Sequence, residues 1–262
     1  MDLQLRGDRI LVVGASSGIG LATARALALE GADVTLVGRD DARIAAAASA
    51  LAGETGAPVR GIAADVTDAA SVEALRARWD AEGQALDALV VATGGSRRAR
   101  FEELDDAAWL ENYEYNILGG VRLVRAFLPA LRRAEGARVL LFGAAAAKMP
   151  YPNQVVSNVH KAGLLALTKT LAGELAPGIR VNAICPGRTL TSLWLDRARD
   201  LARVQGKTPQ EIIDHFAEEI LAGRFAEPRE IGDVAAFILS PRASYVMGQC
   251  INVDGGIARG LL

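Results

Sequence analysis

Short runs of aliphatic and β-branched residues recur along this 262-residue chain, at 10–13, 34–37, 89–91, 139–142, 181–184 and 250–253. Each is near-continuously rather than alternately apolar, the pattern of a strand covered on both faces. Helical segments fill the intervals, over 19–30, 41–52, 71–81, 109–134, 155–175 and 230–240. Asp68 ahead of Ser71-Val72-Glu73, and Pro228 just ahead of Glu230, are helix-start signals. Strand and helix in alternation admit few folds. The expected one is α/β, a parallel sheet with right-handed crossovers, doubly wound by helices. No linker, composition break or repeat divides the chain, so residues 1–262 are expected to form a single domain.

One stretch breaks the rhythm. Residues 190–225 carry two amphipathic pieces, 193–203 and 209–221, split by Gln205-Gly206-Lys207. They fall between the last two strands, on the side where such sheets bind ligands. The reading is a helical substrate lid; a packed surface insertion is the plainer alternative.

Composition narrows the function. Apolar residues make up 51% of the chain, enough for a globular core. A net charge of −2 with dispersed Lys and Arg gives no nucleic-acid surface. No apolar run is long enough to span a bilayer and the N-terminus runs directly into a strand, so neither a membrane partner nor a signal peptide is expected. Cys185 and Cys250 are too few for a disulfide framework, and His160 and His215 offer no zinc cluster. A reducing cytoplasm and no metal are the expectation.

Gly14-Ala15-Ser16-Ser17-Gly18-Ile19-Gly20 joins the first strand to the first helix. Glycine allows a sharp turn and close approach to a pyrophosphate, and the helix N-terminus offers free N–H groups and a positive dipole end. In this strand–loop–helix setting the motif predicts a Rossmann-type dinucleotide site. The second strand ends Val37-Gly38-Arg39-Asp40, with no acid to bind a ribose 2′-hydroxyl. Arg39 can instead pair with a 2′-phosphate, which predicts NADP(H) in preference to NAD(H). The alternative role of Arg39 is a pairing with Asp40 or Asp41.

The G-x-x-x-G-x-G spacing resembles the short-chain dehydrogenase/reductase family, and the resemblance runs from Arg9 to Gly256. By that resemblance Asp65-Val66 holds the adenine ring. Ala92-Thr93-Gly94-Gly95 stands where the family often has Asn-Asn-Ala-Gly, which places Ala92 and Gly94 at the cofactor. Pro186-Gly187, Thr189 and Thr191 resemble the residues around the nicotinamide carboxamide, and Val253-Asp254-Gly255-Gly256 resembles the C-terminal signature. The Arg224-Phe225-Ala226-Glu227-Pro228 stretch is most similar to the β-ketoacyl-carrier-protein-reductase-like branch.

The family transfers hydride with a serine, a tyrosine, a lysine and an asparagine. The resemblance assigns Asn116 to a water chain, and Lys161 to the nicotinamide ribose and to the acidity of a neighbouring hydroxyl. The tyrosine position is Ser157, and the serine expected thirteen residues earlier is Ala144. A serine hydroxyl is a far weaker acid than a phenol, whose pKa is roughly 10. Ser157 lies one turn before Lys161, so both face the same way. A subgroup, the 2,4-dienoyl-CoA reductases, also has serine at this position, with a tyrosine upstream; the matching region 144–147 has none. Tyr151 and His160 are substitute donors to weigh, although packing is the default for both. Arg97, Arg98, Arg100, Lys148 and Arg188 could attract an acidic substrate, or be solvated loop charges.

The sequence thus predicts an NADP(H)-binding oxidoreductase acting on a small carbonyl or acyl-thioester-like molecule with Asn116, Ser157 and Lys161 in an atypical site. The alternative is a catalytically degenerate dinucleotide-binding protein, or a non-redox enzyme on the same scaffold. The long helices 109–134 and 155–175 are more apolar than one core face needs. In the family they pair between subunits, which implies a homodimer or a homotetramer.

Overall fold

In the computed structural model, which describes residues 1–260, the apolar runs pair side by side as parallel strands. They are β1 (Arg9–Val13), β2 (Asp33–Gly38), β3 (Val59–Ala63), β4 (Ala88–Val91), β5 (Ala137–Phe142), β6 (Ile179–Pro186) and β7 (Cys250–Val253), in the sheet order β3-β2-β1-β4-β5-β6-β7. The winding reverses between β1 and β4; β1 pairs on both sides, its Ile10 opposite Val34 of β2 and Ala88 of β4. A crevice opens at the carboxyl ends of those strands, where sheets of this kind bind ligands.

The period of two sorts each strand between the two helical layers. Ile10 and Val12 face α1 (Gly18–Leu29), α2 (Asp41–Thr55) and α9 (Pro228–Leu239). Leu11 and Val13 face α3 (Ala69–Ala81), α5 (Gly119–Leu131) and α6 (Val155–Leu175). Leu27 on one side and Phe127 on the other are fully buried, each contributing roughly 1.5–3 kcal/mol. Helix α9 crosses α1 closely at Gly232, where a Cβ would meet the Ala22 carbonyl oxygen at 2.6 Å.

Three expectations need correction. The strand β3 escapes the list of apolar runs because Val59-Arg60-Gly61-Ile62-Ala63 is interrupted; it is an edge strand, and Arg60 reaches out to Glu82. The helix expected over 109–134 begins as α4 (Asp106–Tyr113), capped by Asp105, and passes through a π-helical turn at Glu114–Leu118 before α5. The second lid piece, α8 (Pro209–Ala217), stops short of 221. The first, α7 (Ser192–Gln205), ends at Gly206 with φ +66°, a left-handed conformation that glycine adopts without strain. Among the described residues no helix is long and apolar enough to cross a membrane.

Candidate active site

The loop after β1 is shaped by close approach. Gly14 has φ +84°, and a Cβ there would meet the Ala92 carbonyl carbon of the neighbouring strand end at 2.8 Å. Ser17 begins α1 in an extended conformation, with no side-chain cap and no acidic residue in the first turn. The amides of that turn and the positive end of the dipole are therefore left for an anion. The cavity over this turn, about 560 Å³, is walled by Gly14, Ser16, Ser17, Ile19 and Gly20 of the glycine loop, with Ala92 and Gly94 after β4 and Thr191 ahead of the next helix; Gly18 is not on the wall. Arg39 also lines it, and makes no ion pair with Asp40 or Asp41; it lies 5.7 Å over the Tyr115 ring. Asp40 instead accepts the Arg43 N–H as the cap of α2. Arg43 shares the wall with Ser16 and Arg39, and sequence reasoning missed it because nothing marks one exposed helix arginine among others. Val66 is on the wall. Asp65 is not: its carboxylate accepts the Thr67 N–H and O–H (2.9 and 2.7 Å). Burial pushes that carboxyl up, but the Thr67 bonds and the Arg39 charge hold it below its ordinary value.

A second cavity, about 210 Å³, continues from the first over Gly94 and Lys161. Pro186, Gly187, Thr189 and Thr191 supply its far wall. Gly187 passes so close to Asp254 that a Cβ would sit 2.7 Å from the Asp254 Cα, so the turn after β6 is keyed to the C-terminal motif. Thr189 bridges to Ala226, tying the two ends of the segment that carries α7 and α8.

Lys161 is buried, and its Nζ donates to the Phe142 carbonyl at 3.0 Å. Burial brings its pKa down to about 8. Gly94, at φ +149°, exposes the ammonium to the cavity; a Cβ there would sit 2.5 Å from Nζ and 3.0 Å from Asn116 Oδ1. Asn116 lies in the π turn. Its amide accepts the Gly95 N–H (3.2 Å) and donates to Gly95 O (3.1 Å) and Asn112 O (3.0 Å). The wider turn leaves the Asn112 carbonyl for the side chain, and π turns of this kind recur at functional sites.

Ser157 is buried on the same helix as Lys161 but is not on the cavity wall. Its Oγ accepts the Arg97 N–H (3.1 Å) and donates to Ser96 Oγ (3.4 Å). Ser96 is on the wall. With its amide oriented to suit both neighbours, Gln154 donates to Ser96 Oγ (2.7 Å) and accepts from Arg98 (3.0 Å). The Ser96 proton then remains free to face the cavity.

Ala144 lies at the junction with a third cavity, about 270 Å³, and offers no hydroxyl. Tyr151 lines that third cavity, with the Arg188 guanidinium 5.7 Å over its ring; burial raises its phenol above the ordinary value. His160 is turned away from Ser157. Its Nδ1 bonds Asn112 Oδ1 (2.8 Å) and its ring meets the edges of Trp109 and Tyr113, with burial favouring the neutral form. The five basic residues separate. Arg97 and Arg100 pair with Glu111 and Glu103, and Lys148 donates to Cys250 O, whereas Arg98 and Arg188 reach the third cavity. Among the described residues no group of three His, Cys, Asp or Glu side chains could hold a metal.

Residues 14–258 match the family model described as enoyl-(acyl carrier protein) reductase. The oxidoreductase UcpA of Salmonella typhimurium is 34% identical over 256 residues, 97% of this chain and 95% of that one. Among solved structures, L-sorbose reductase from Gluconobacter frateurii, complexed with NADPH and L-sorbose, superposes over 100% of both chains with a TM-score of 0.96 at 33% identity. A single-substitution variant of the actinorhodin polyketide ketoreductase, with NADPH, matches with a TM-score of 0.91 at 29% identity, over 97% of this chain and 98% of that one.

Proposed function

The chain belongs to the short-chain dehydrogenase/reductase family of oxidoreductases, and from that premise we propose that it binds NADP(H) and interconverts a carbonyl and a hydroxyl on a small molecule. The observation that carries the cofactor reading is the wall over α1: an uncapped helix N-terminus, a glycine loop that no side chain obstructs, Arg39 just after β2 and Arg43 in the first turn of α2. Residues of this kind fit a dinucleotide with a 2′-phosphate. The L-sorbose reductase and the ketoreductase, both solved with NADPH, support the same choice. When bound, the cofactor supplies or accepts the hydride. Gly94 leaves room for it beside Lys161, whose ammonium would hold its ribose, and Thr189 and Thr191 would orient the ring.

Proton transfer in this reading falls to hydroxyls rather than a phenol. Ser157 orients Ser96, and Ser96 meets the substrate oxygen. Asn116 keeps the 94–96 loop in place by gripping Gly95 on both its polar groups. A second reading, a protein that binds the dinucleotide without turning it over, is favoured by one observation: Ser157 Oγ is occupied by the Arg97 amide while Ala144 supplies no partner. Cytoplasmic residence, suggested by the unpaired thiols of Cys185 and Cys250, and assembly through α4 and α6 belong to the same proposal.

Titration of the protein with NADPH and NADH tests the cofactor reading. NADPH is expected to bind about tenfold or more tightly, the preference falling in Arg39→Gln and Arg43→Gln, since a charge-assisted bond is worth roughly 1.5–3 kcal/mol. Equal affinities would sink it. Following NADPH absorbance over ketones, enones and acyl thioesters then separates the two readings. Turnover that drops about 100-fold or more in both Ser96→Ala and Ser157→Ala supports the hydroxyl pair. No turnover with any of them selects the binding protein.

A further inference from the structure

Two arginines line the third cavity, beside Ala144, and a third stacks on the rings of its wall. Arg98 comes from the loop after β4, Arg188 from the turn after β6 and Arg197 from α7. Arg98 and Arg188 line the cavity; Arg197 lies 4.6 Å over Trp194 and 5.3 Å over Phe216, the rings that close it. Arg188 lies 4.7 Å over the same Phe216 ring and also donates to the Phe216 carbonyl.

The nearby carboxylates balance this charge only in part. Glu219 is bound by Arg188 at 2.6 Å, and Asp254 accepts the backbone N–H groups of Gly256 (2.9 Å) and Ala258 (3.2 Å). Among the described residues neither Arg98 nor Arg197 meets a carboxylate, whereas Arg97, Arg100 and Arg199 are all paired at the surface. The gathering of like charges has a cost. Burial, and then the charges of Arg98 and Arg188, bring Arg197 down to about 10. An oxyanion among the three would relieve it, and planar guanidinium groups suit carboxylate and phosphate equally.

We infer that this cavity seats an anionic group of the substrate, a carboxylate or a phosphate, between Arg98, Arg188 and Arg197. The cavity shares Ala144, Pro186, Gly187 and Trp194 with the one over Lys161, so carbons next to the anion lie toward the reacting side. Its volume, about 270 Å³, suits a small acid or the phosphorylated end of a small metabolite. That the occupant is a substrate rests on the oxidoreductase reading; that it is an anion does not.

The test is isothermal titration of the protein saturated with NADPH, so that the cofactor's own phosphate contacts are filled. Malonate and inorganic phosphate are the probes, with acetamide as the neutral control. Saturable binding of at least one anion is expected, about tenfold or more weaker in Arg98→Gln and in Arg197→Gln, and unchanged in Arg100→Gln. Preference for malonate assigns a carboxylate and preference for phosphate a phosphoryl group. The inference fails if neither anion binds, if acetamide binds as well, or if Arg100→Gln weakens binding as much as Arg197→Gln. NADPH affinity, measured first in each variant, reports that the fold is intact. Should NADPH itself not bind, the oxidoreductase reading falls instead, and the same titrations without it still test the cluster.

Discussion

Lys161 shows how a single residue binds stability to function. Its ammonium is buried behind Gly94 and titrates near 8, against an ordinary value of 10.5, because burial disfavours the charged form. Between those values the unfolded chain holds more protons than the folded one, so stability rises with pH across the window and the full cost is felt below about 8. Lys161→Met removes that cost and also the bond to Phe142 O. Chemical denaturation at pH 7 and pH 10.5 should therefore show the native protein gaining on the variant, by on the order of 2 kcal/mol, as pH rises. A difference independent of pH would refute the assignment. NADPH affinity should move the other way, weakening above about pH 8 in the native protein and staying flat in Lys161→Met, because only the ammonium donates from all three hydrogens. Ser157 is the opposite case. The sequence places it one turn from Lys161, but a buried hydroxyl goes to the nearest unpaired donor, and the Arg97 amide is that donor.

Elements differ in how far local sequence decides them. The glycine loop was legible because the residues that permit its turn stand within seven positions, Gly14 to Gly20, even though Ala92 is what presses on it. The π turn was not, since the bonds that accompany it run from the Asn116 amide to Gly95, twenty-one residues away. The α7–α8 pair, which the sequence suggests as a lid, is intermediate. Its capping signals are local, with Thr208 and Glu211 forming a reciprocal capping box at the start of α8, but its attachment is tertiary. Ala198, Ala202 and Ile212 join α7 to α8, while Trp194 packs edge-on against Phe216 and Phe225 at 5.4 and 5.0 Å. With Ala217 also packed against Ala145, Ile220 and Ile257, the pair is held over the cavities by clusters separate from the two cores of the sheet, and is expected to open more readily than the sheet. Trp194→Ala should speed amide hydrogen exchange in Ser192–Gln205 and Pro209–Ala217 about tenfold or more, leaving β1 and β4 protected. Equal acceleration in the central strands would show that the lid is part of the global unfolding unit.

At the scale of the molecule, the architecture was readable because buried parallel strands announce themselves and crossovers have one hand; the grouping of Arg98, Arg188 and Arg197 was not, because only the fold brings those segments together. The surface of a single chain raises a further question. On α6 the residues Val159, Ala162, Gly163, Ala166 and Thr170 are exposed and uncharged, and the exposed charges of the helix, Lys169 and Glu174, fall in its C-terminal part. Leu110 and Tyr113 of α4 are 66% and 40% exposed. A flat face of small residues lets two helices approach closely, and a two-fold axis would match it with its own copy. The expected state is a dimer built on α4 and α6, or a tetramer containing it. Ala166→Glu would place a charge against its symmetry mate and against apolar neighbours, with a penalty on the order of several kcal/mol if the pair were buried unpaired. Light scattering should then report a multimer for the native protein and a monomer for Ala166→Glu, with NADPH binding retained because α6 presents Lys161 on its opposite, buried side. A native monomer, or an Ala166→Glu multimer of unchanged size, would remove this face from the interface.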